Sequence, residues 1–163
     1  METRKIYEYA LQREYEGKRF FEQNADRLSH AAAIEAFRQL AAEEQKHIEF
    51  IQAQLDAMDR GERSNPEVGL EMERAGFFSQ RAASESIDQS VLEAMVPDLA
   101  VLRLAYLIER DFSEFYEMAA EDADRDAQVV LRTLAQWERR HERLFRNMHD
   151  QAFQEYAHMP WGG

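Results

Sequence analysis

The 163-residue sequence has no cysteine, only three prolines and six glycines, and few β-branched residues. Without cysteine there is no disulfide framework, zinc ribbon, iron–sulfur centre or thiol nucleophile. Any chemistry must come from carboxylates, histidines and bound ions. Few proline, glycine and β-branched residues, set against abundant Glu, Ala, Arg, Leu and Gln, give an all-helical composition. Positive charge is also short: 20 Lys and Arg against 32 Asp and Glu leave a formal charge of −12. That balance repels a phosphate backbone, so no nucleic acid is expected as partner. No stretch approaches the roughly 20 apolar residues of a membrane span, and Met1-Glu2-Thr3-Arg4-Lys5 is not followed by an apolar signal region. A cytoplasmic protein without membrane contact is the expectation. With 45% apolar residues, the chain suits a single well-cored domain over residues 1–163.

Apolar residues recur at helical spacing in four long stretches. The first carries Tyr7, Leu11, Phe21, Ala25 and Leu28 and predicts a helix from about residue 4 to 29, broken by Ser29 and His30. The second carries Ile34, Phe37, Leu40, Ala41, Ile48, Ile51, Leu55 and Met58, and Gly61 offers a C-terminal cap. After the polar loop 61–66, the segment from Glu67 to about Met95 predicts one or two shorter helices within a crossover, 59–96. Val96-Pro97-Asp98 marks a new helix start, because proline fits the first turn. The third stretch carries Leu99, Leu102, Ala105, Tyr106, Phe112, Tyr116 and Ala119, up to the polar run 121–126. The fourth carries Val130, Leu131, Leu134, Leu144, Phe145 and Met148, continuing through Phe153 and Tyr156 toward Pro160. Hairpins 4–58 and 97–158 joined by a long crossover predict a four-helix bundle with one long connection.

Each apolar stripe is interrupted by charge where the period asks for a core residue. Glu14 lies between Leu11 and Phe21, and Glu109 between Tyr106 and Tyr116. The second stretch has Glu44 and His47 between Ala41 and Ile48, and the fourth has Glu138 and His141 between Leu134 and Leu144. Residues three apart share a helix face, so four carboxylates and two imidazoles converge on the interior. Buried carboxylates cost several kcal/mol each unless compensated, and no lysine or arginine falls clearly on these stripes. Two divalent metal ions would compensate them. Glu-x-x-His alone is a weak motif in a chain with 22 glutamates, and the third copy, Glu155 to His158, has no partner helix and reads as a decoy. What distinguishes the other two is repetition: Glu14 precedes Glu44 by 30 positions and Glu109 precedes Glu138 by 29.

These residues resemble the rubrerythrin-like branch of the ferritin-like superfamily over about residues 4–58 and 97–149. The carriers are the segment from Glu14 to Phe21, the Glu43-Glu44-Gln45-Lys46-His47 run, the segment from Glu109 to Tyr116, and Glu138-Arg139-Arg140-His141. The resemblance implies a ferritin-like bundle with two iron ions, manganese or a mixed pair being the alternatives. By it Glu44 and Glu138 would bridge the metals, Glu14 and Glu109 would each bind one, and His47 and His141 would each hold one. Tyr116 resembles a tyrosine that hydrogen-bonds a ligand carboxylate, and Phe21 stands at the equivalent place in the first half. The chain departs from the family in two ways. It lacks the cysteines of a rubredoxin-type centre, so electrons would come from an external rubredoxin-like or flavoprotein donor. It also has Phe112 where an additional glutamate is usual, which brings its six ligands closer to bacterioferritin and other di-iron oxidases.

The function implied is a non-haem di-iron oxidoreductase acting on hydrogen peroxide or dioxygen. Ferroxidase or iron-storage activity is the first alternative. A quinone-precursor hydroxylase and a metal-free interaction bundle are the others. For Tyr116 and Tyr106, core packing and support of a ligand are both open. Phe77 and Phe78 read as core or dimer contacts, and Glu22, Glu43, Glu49 and Glu142 as a solvated face. His30, His149 and His158 are given no role, and a homodimer is the expected assembly.

Overall fold

The computed structural model describes residues 2–82 and 87–160, and within them every regular element is helical. Two long hairpins form the bundle. Helix α1 (Thr3–Ala25) packs against α2 (Ala31–Asp59), and α6 (Leu99–Glu121) against α7 (Arg125–His158). The crossover holds α3 (Glu67–Ala75), α4 (Phe78–Ala82) and α5 (Gln89–Ala94), where the periodicity predicts one or two helices. Residues 83–86 of that predicted segment, with Met1 and 161–163, lie outside the described residues.

Local chemistry sets the helix ends. Helix α1 stops at Ala25, four residues before the predicted end, as the Arg27 N–H turns back to the Asn24 carbonyl at 3.0 Å. Leu28, counted with the helix from its spacing, is instead a buried loop residue that fills the core from the turn. The following Ser29 N–H donates to both oxygens of Asp98, at 3.0 and 3.2 Å, tying this turn to the start of the second hairpin. His30, assigned no role from sequence, caps α2: its Nδ1 accepts from the Ala32 N–H at 3.0 Å. At the other end of α2, Gly61 has φ +74°. The Gly61 N–H reaches the Met58 carbonyl at 3.0 Å, and the Glu62 N–H reaches that of Ala57 at 2.9 Å. This is a Schellman ending, which favours glycine at that position. Gln54, fully buried, then clamps the loop: its Oε1 accepts from the Asn65 N–H at 2.6 Å and its Nε2 donates to the Asn65 carbonyl at 3.1 Å. Val96–Asp98 is a single 3-10 turn, so α6 starts one residue after the Val-Pro-Asp signal. Asp124 caps α7, accepting from the Asp126 and Ala127 N–H groups at 3.1 Å each.

The core has two apolar clusters. One gathers Ile6, Tyr7, Phe50, Ile51, Leu55, Tyr116, Val130, Leu131, Leu134 and Trp137. The other gathers Phe21, Phe37, Leu40, Leu102, Leu144, Phe145 and Met148, with Phe21 stacked on Phe145 at 5.4 Å and crossing Phe37 at 5.3 Å. Phe77 is buried in the first cluster and Phe78 packs against the second, as core residues. Between the clusters, at mid-height of all four long helices, lies a layer of buried charge.

Candidate metal centre

All six interrupting residues point into that layer. Glu14, Glu44, His47, Glu109, Glu138 and His141 are each no more than 1% exposed. No lysine or arginine is buried among the described residues. Two groups of possible ligands form, in each of which the donor atoms lie within 4.8 Å of one another. One is Glu14, Glu44, His47 and Glu138, and the other Glu44, Glu109, Glu138 and His141. Glu44 and Glu138 belong to both. His47 Nδ1 lies 2.8 Å from Glu138, 3.3 Å from Glu14 and 3.6 Å from Glu44. His141 Nδ1 lies 3.1 Å from Glu44 and 3.4 Å from both Glu109 and Glu138. The two imidazole planes are nearly parallel, 10° apart, with centroids at 5.2 Å.

The electrostatics follow from crowding like charges in a dry layer. Burial, then repulsion from Glu138 and Glu44, pushes the Glu14 and Glu109 carboxyls well above the usual range. Burial acts against charging the imidazoles, yet the surrounding carboxylates outweigh it and hold His47 and His141 well above their ordinary values. Burial would also raise Glu138, but the charge of His47 and hydrogen bonds from its neighbours hold it well below. Protons thus take part of the place that cations would fill. They do not satisfy the site: both oxygens of Glu44, Oε2 of Glu109 and of Glu138, and Nδ1 of His141 are buried without a hydrogen-bond partner. Five potential ligand atoms converge without hydrogen-bond geometry, in a set of hard carboxylates and imidazoles. That is the donor set of a divalent transition-metal pair, and these residues fit one.

The supports around the six differ on the two sides. The Tyr116 hydroxyl, fully buried, donates to Glu14 Oε1, so the side chain touches a cluster carboxylate besides packing in the core. Tyr106 does not reach the cluster and instead carries Arg146 over its ring at 4.9 Å. Glu43, expected on a solvated face, is 2% exposed. Its Oε2 accepts from His141 Nε2 at 2.8 Å and its Oε1 from the Ser79 N–H of α4 at 2.9 Å. Burial alone would raise the Glu43 carboxyl, but these bonds bring it down to about 2. Glu142 is likewise buried, at 8% exposed, with Arg146 at 2.9 Å; Glu22 and Glu49 are exposed as expected. Phe112, 5% exposed, lies so close to Gly17 that a β-carbon there would sit 3.1 Å from its ring, and Arg13 lies over it at 4.5 Å.

Sequence reasoning missed the roles of Glu43, Trp137 and α4 beside the cluster. Trp137 stacks on His47 at 5.1 Å, Phe77 meets the same ring at 6.4 Å, and the Trp137 Nε1–H donates to Glu73 of α3. A signal was present in the repeat: Glu43 and Trp137 each directly precede a shared glutamate, and a carboxylate there opposite an indole marks two halves built differently.

Fold and centre together define a ferritin-like helical bundle with a buried Glu/His cluster able to hold metal. The rubrerythrin family model matches residues 5–149, and the chain belongs to that family. No curated protein and no solved structure gives a significant match. No helix among the described residues is long and apolar enough to cross a membrane.

Proposed function

We propose that the chain is a non-haem di-iron oxidoreductase that reduces hydrogen peroxide or dioxygen. The observation carrying this reading is the pair of four-residue groups sharing Glu44 and Glu138, with unpartnered buried oxygens turned toward one another. Glu14 and His47 would hold one ion, Glu109 and His141 the other, and Glu44 and Glu138 both. A ferrous pair supplies two electrons together, enough to take hydrogen peroxide and two protons to two waters. The apolar clusters above and below keep bulk water from the layer. Tyr116 holds its hydroxyl proton on Glu14 Oε1, so one proton is kept beside the centre. With no cysteine in the sequence, re-reduction falls to a separate rubredoxin-like or flavoprotein donor.

Phe112 favours a second reading, ferroxidase activity. Its buried ring occupies the place where the family resemblance leads one to expect a further glutamate, leaving six ligands. Metal analysis of protein purified without chelator tests both, with Glu44→Ala and Glu138→Ala as controls. About two iron or manganese ions per chain, lost in both variants, support the centre. Faster oxidation of the anaerobically reconstituted diferrous protein by peroxide than by air supports the peroxidase form. Equal rates, with iron taken up beyond two per chain, support ferroxidase. Parent protein that takes up no iron refutes the reading.

A further inference from the structure

The repeat relates the two halves of the centre, but their outer supports oppose each other chemically. His141 presents Nδ1 to the carboxylates and gives its Nε2–H to Glu43 at 2.8 Å. Glu43 is in turn fixed by the Ser79 N–H at 2.9 Å. The chain Ser79–Glu43–His141 fixes the ring and the tautomer, and a carboxylate accepting the outer N–H makes the inner nitrogen a stronger donor. His47 has no such partner. Its Nε2 is buried and unpaired, with Trp137 stacked on the ring and Phe77 in an edge contact with it. For His47 to ligate through Nδ1, its remaining proton must sit on that unpaired nitrogen, which is unfavourable in a dry site. Tyr116 acts in the same direction: by donating to Glu14 it draws electron density from a carboxylate of the His47 half, while Glu109 Oε2 carries no donor at all.

We infer that Glu43 is a positioning residue that makes the Glu109–His141 half the tighter metal position, filled before the Glu14–His47 half. This rests on the metal-binding reading above. The crossover then has a task beyond joining hairpins, since α4 brings the N–H that holds Glu43.

Anaerobic titration of the full chain with Co(II), followed by visible absorption, tests the order. The parent is expected to take two equivalents in two steps separated by about 10- to 100-fold in affinity. Glu14→Ala should keep the tight step and lose the weak one, and Glu109→Ala should keep only the weak one. Glu43→Ala should weaken the tight step by about 10- to 100-fold. Glu43→Gln, which still offers one acceptor oxygen to Nε2–H but carries no charge and cannot also accept from the Ser79 N–H, should recover part of that loss; simple destabilisation would not be rescued so selectively. Thermal melts of each variant check folding, and the Glu14 and Glu109 variants decide the order even if Glu43→Ala does not fold. Two steps of equal affinity, or loss of the tight step in Glu14→Ala, overturn the inference and leave metal binding intact. A parent that binds no Co(II) overturns the metal-binding reading instead.

Discussion

Replacing Glu109 by glutamine separates what the carboxylate does for the fold from what it does for metal. In the metal-free protein burial, then repulsion from Glu138 and Glu44, keeps the Glu109 carboxyl protonated well above the usual range. Glutamine has the same shape and is neutral, so Glu109→Gln should leave metal-free stability within about 1 kcal/mol of the parent. With metal the two proteins should diverge. An ion at 100 times its dissociation constant stabilises the fold by about 2.7 kcal/mol, whereas a site weakened 100-fold keeps about 0.4 kcal/mol at the same concentration. For a chain of this size 1 kcal/mol corresponds to about 2–4 °C in Tm. The metal-induced rise on anaerobic Fe(II) addition should therefore be about 5–9 °C larger in the parent than in the variant, which keeps only what the Glu14–His47 position contributes. Calorimetric melts of both proteins with and without Fe(II) give the comparison. A variant that melts far below the parent without metal would show that Glu109 works as an ionised structural partner. A variant with the full metal-induced rise would show that it is no ligand.

Gln54→Ala should lower stability by about 1–3 kcal/mol, because it removes both hydrogen bonds to the Asn65 backbone and empties a fully buried side-chain site; chemical denaturation measures this, and an unchanged midpoint would mean that water replaces the clamp. Gly61→Ala should cost about 1 kcal/mol through its φ of +74°, with nothing within 4 Å for the methyl to strike, and Gly61→Asn should cost less; equal losses would put the effect outside backbone conformation. Tyr7 is pushed up from 10.0 to about 12, mainly by burial. A folded-state value above the unfolded one gives stability present below pH 10 and lost as pH rises through about 12, up to roughly 2–3 kcal/mol. Urea unfolding at pH 8 and pH 11 should show Tyr7→Phe losing less than the parent; identical losses would refute the assignment.

Much of the bundle was legible because it rests on periodicity, which survives reading without a structure. The four long helices and the position of charge within them follow from three-and-four spacing, and Gly61 follows from local capping chemistry. The end of α1 was not legible. Leu28 keeps the helical spacing while serving as a loop residue, and the tie that holds its turn comes from Asp98, far along the chain. The cluster residues could be named because each broke its own stripe, so the error of any one helix register was checked by three others. Glu43 escaped for the opposite reason. It breaks no stripe of α2, and its burial is imposed from outside by α4 and α7, through Ser79 and His141. Glu142 was misplaced too: it is buried while pairing with Arg139 and Arg146 of its own helix.

The sharing of Glu44 and Glu138 between the two groups bears on how the chain assembles. The first hairpin supplies three members of one group and a single member of the other, and the second hairpin does the reverse. Neither hairpin can complete a coordination set by itself. Contacts within each hairpin are closer in sequence than those between hairpins, so loop-closure cost puts the meeting of the hairpins last. That meeting also forces four carboxylates together, so bound ions would speed the last step of folding rather than the first. In a chain without disulfides they would serve as its reversible cross-link, closing only once both halves are correctly made.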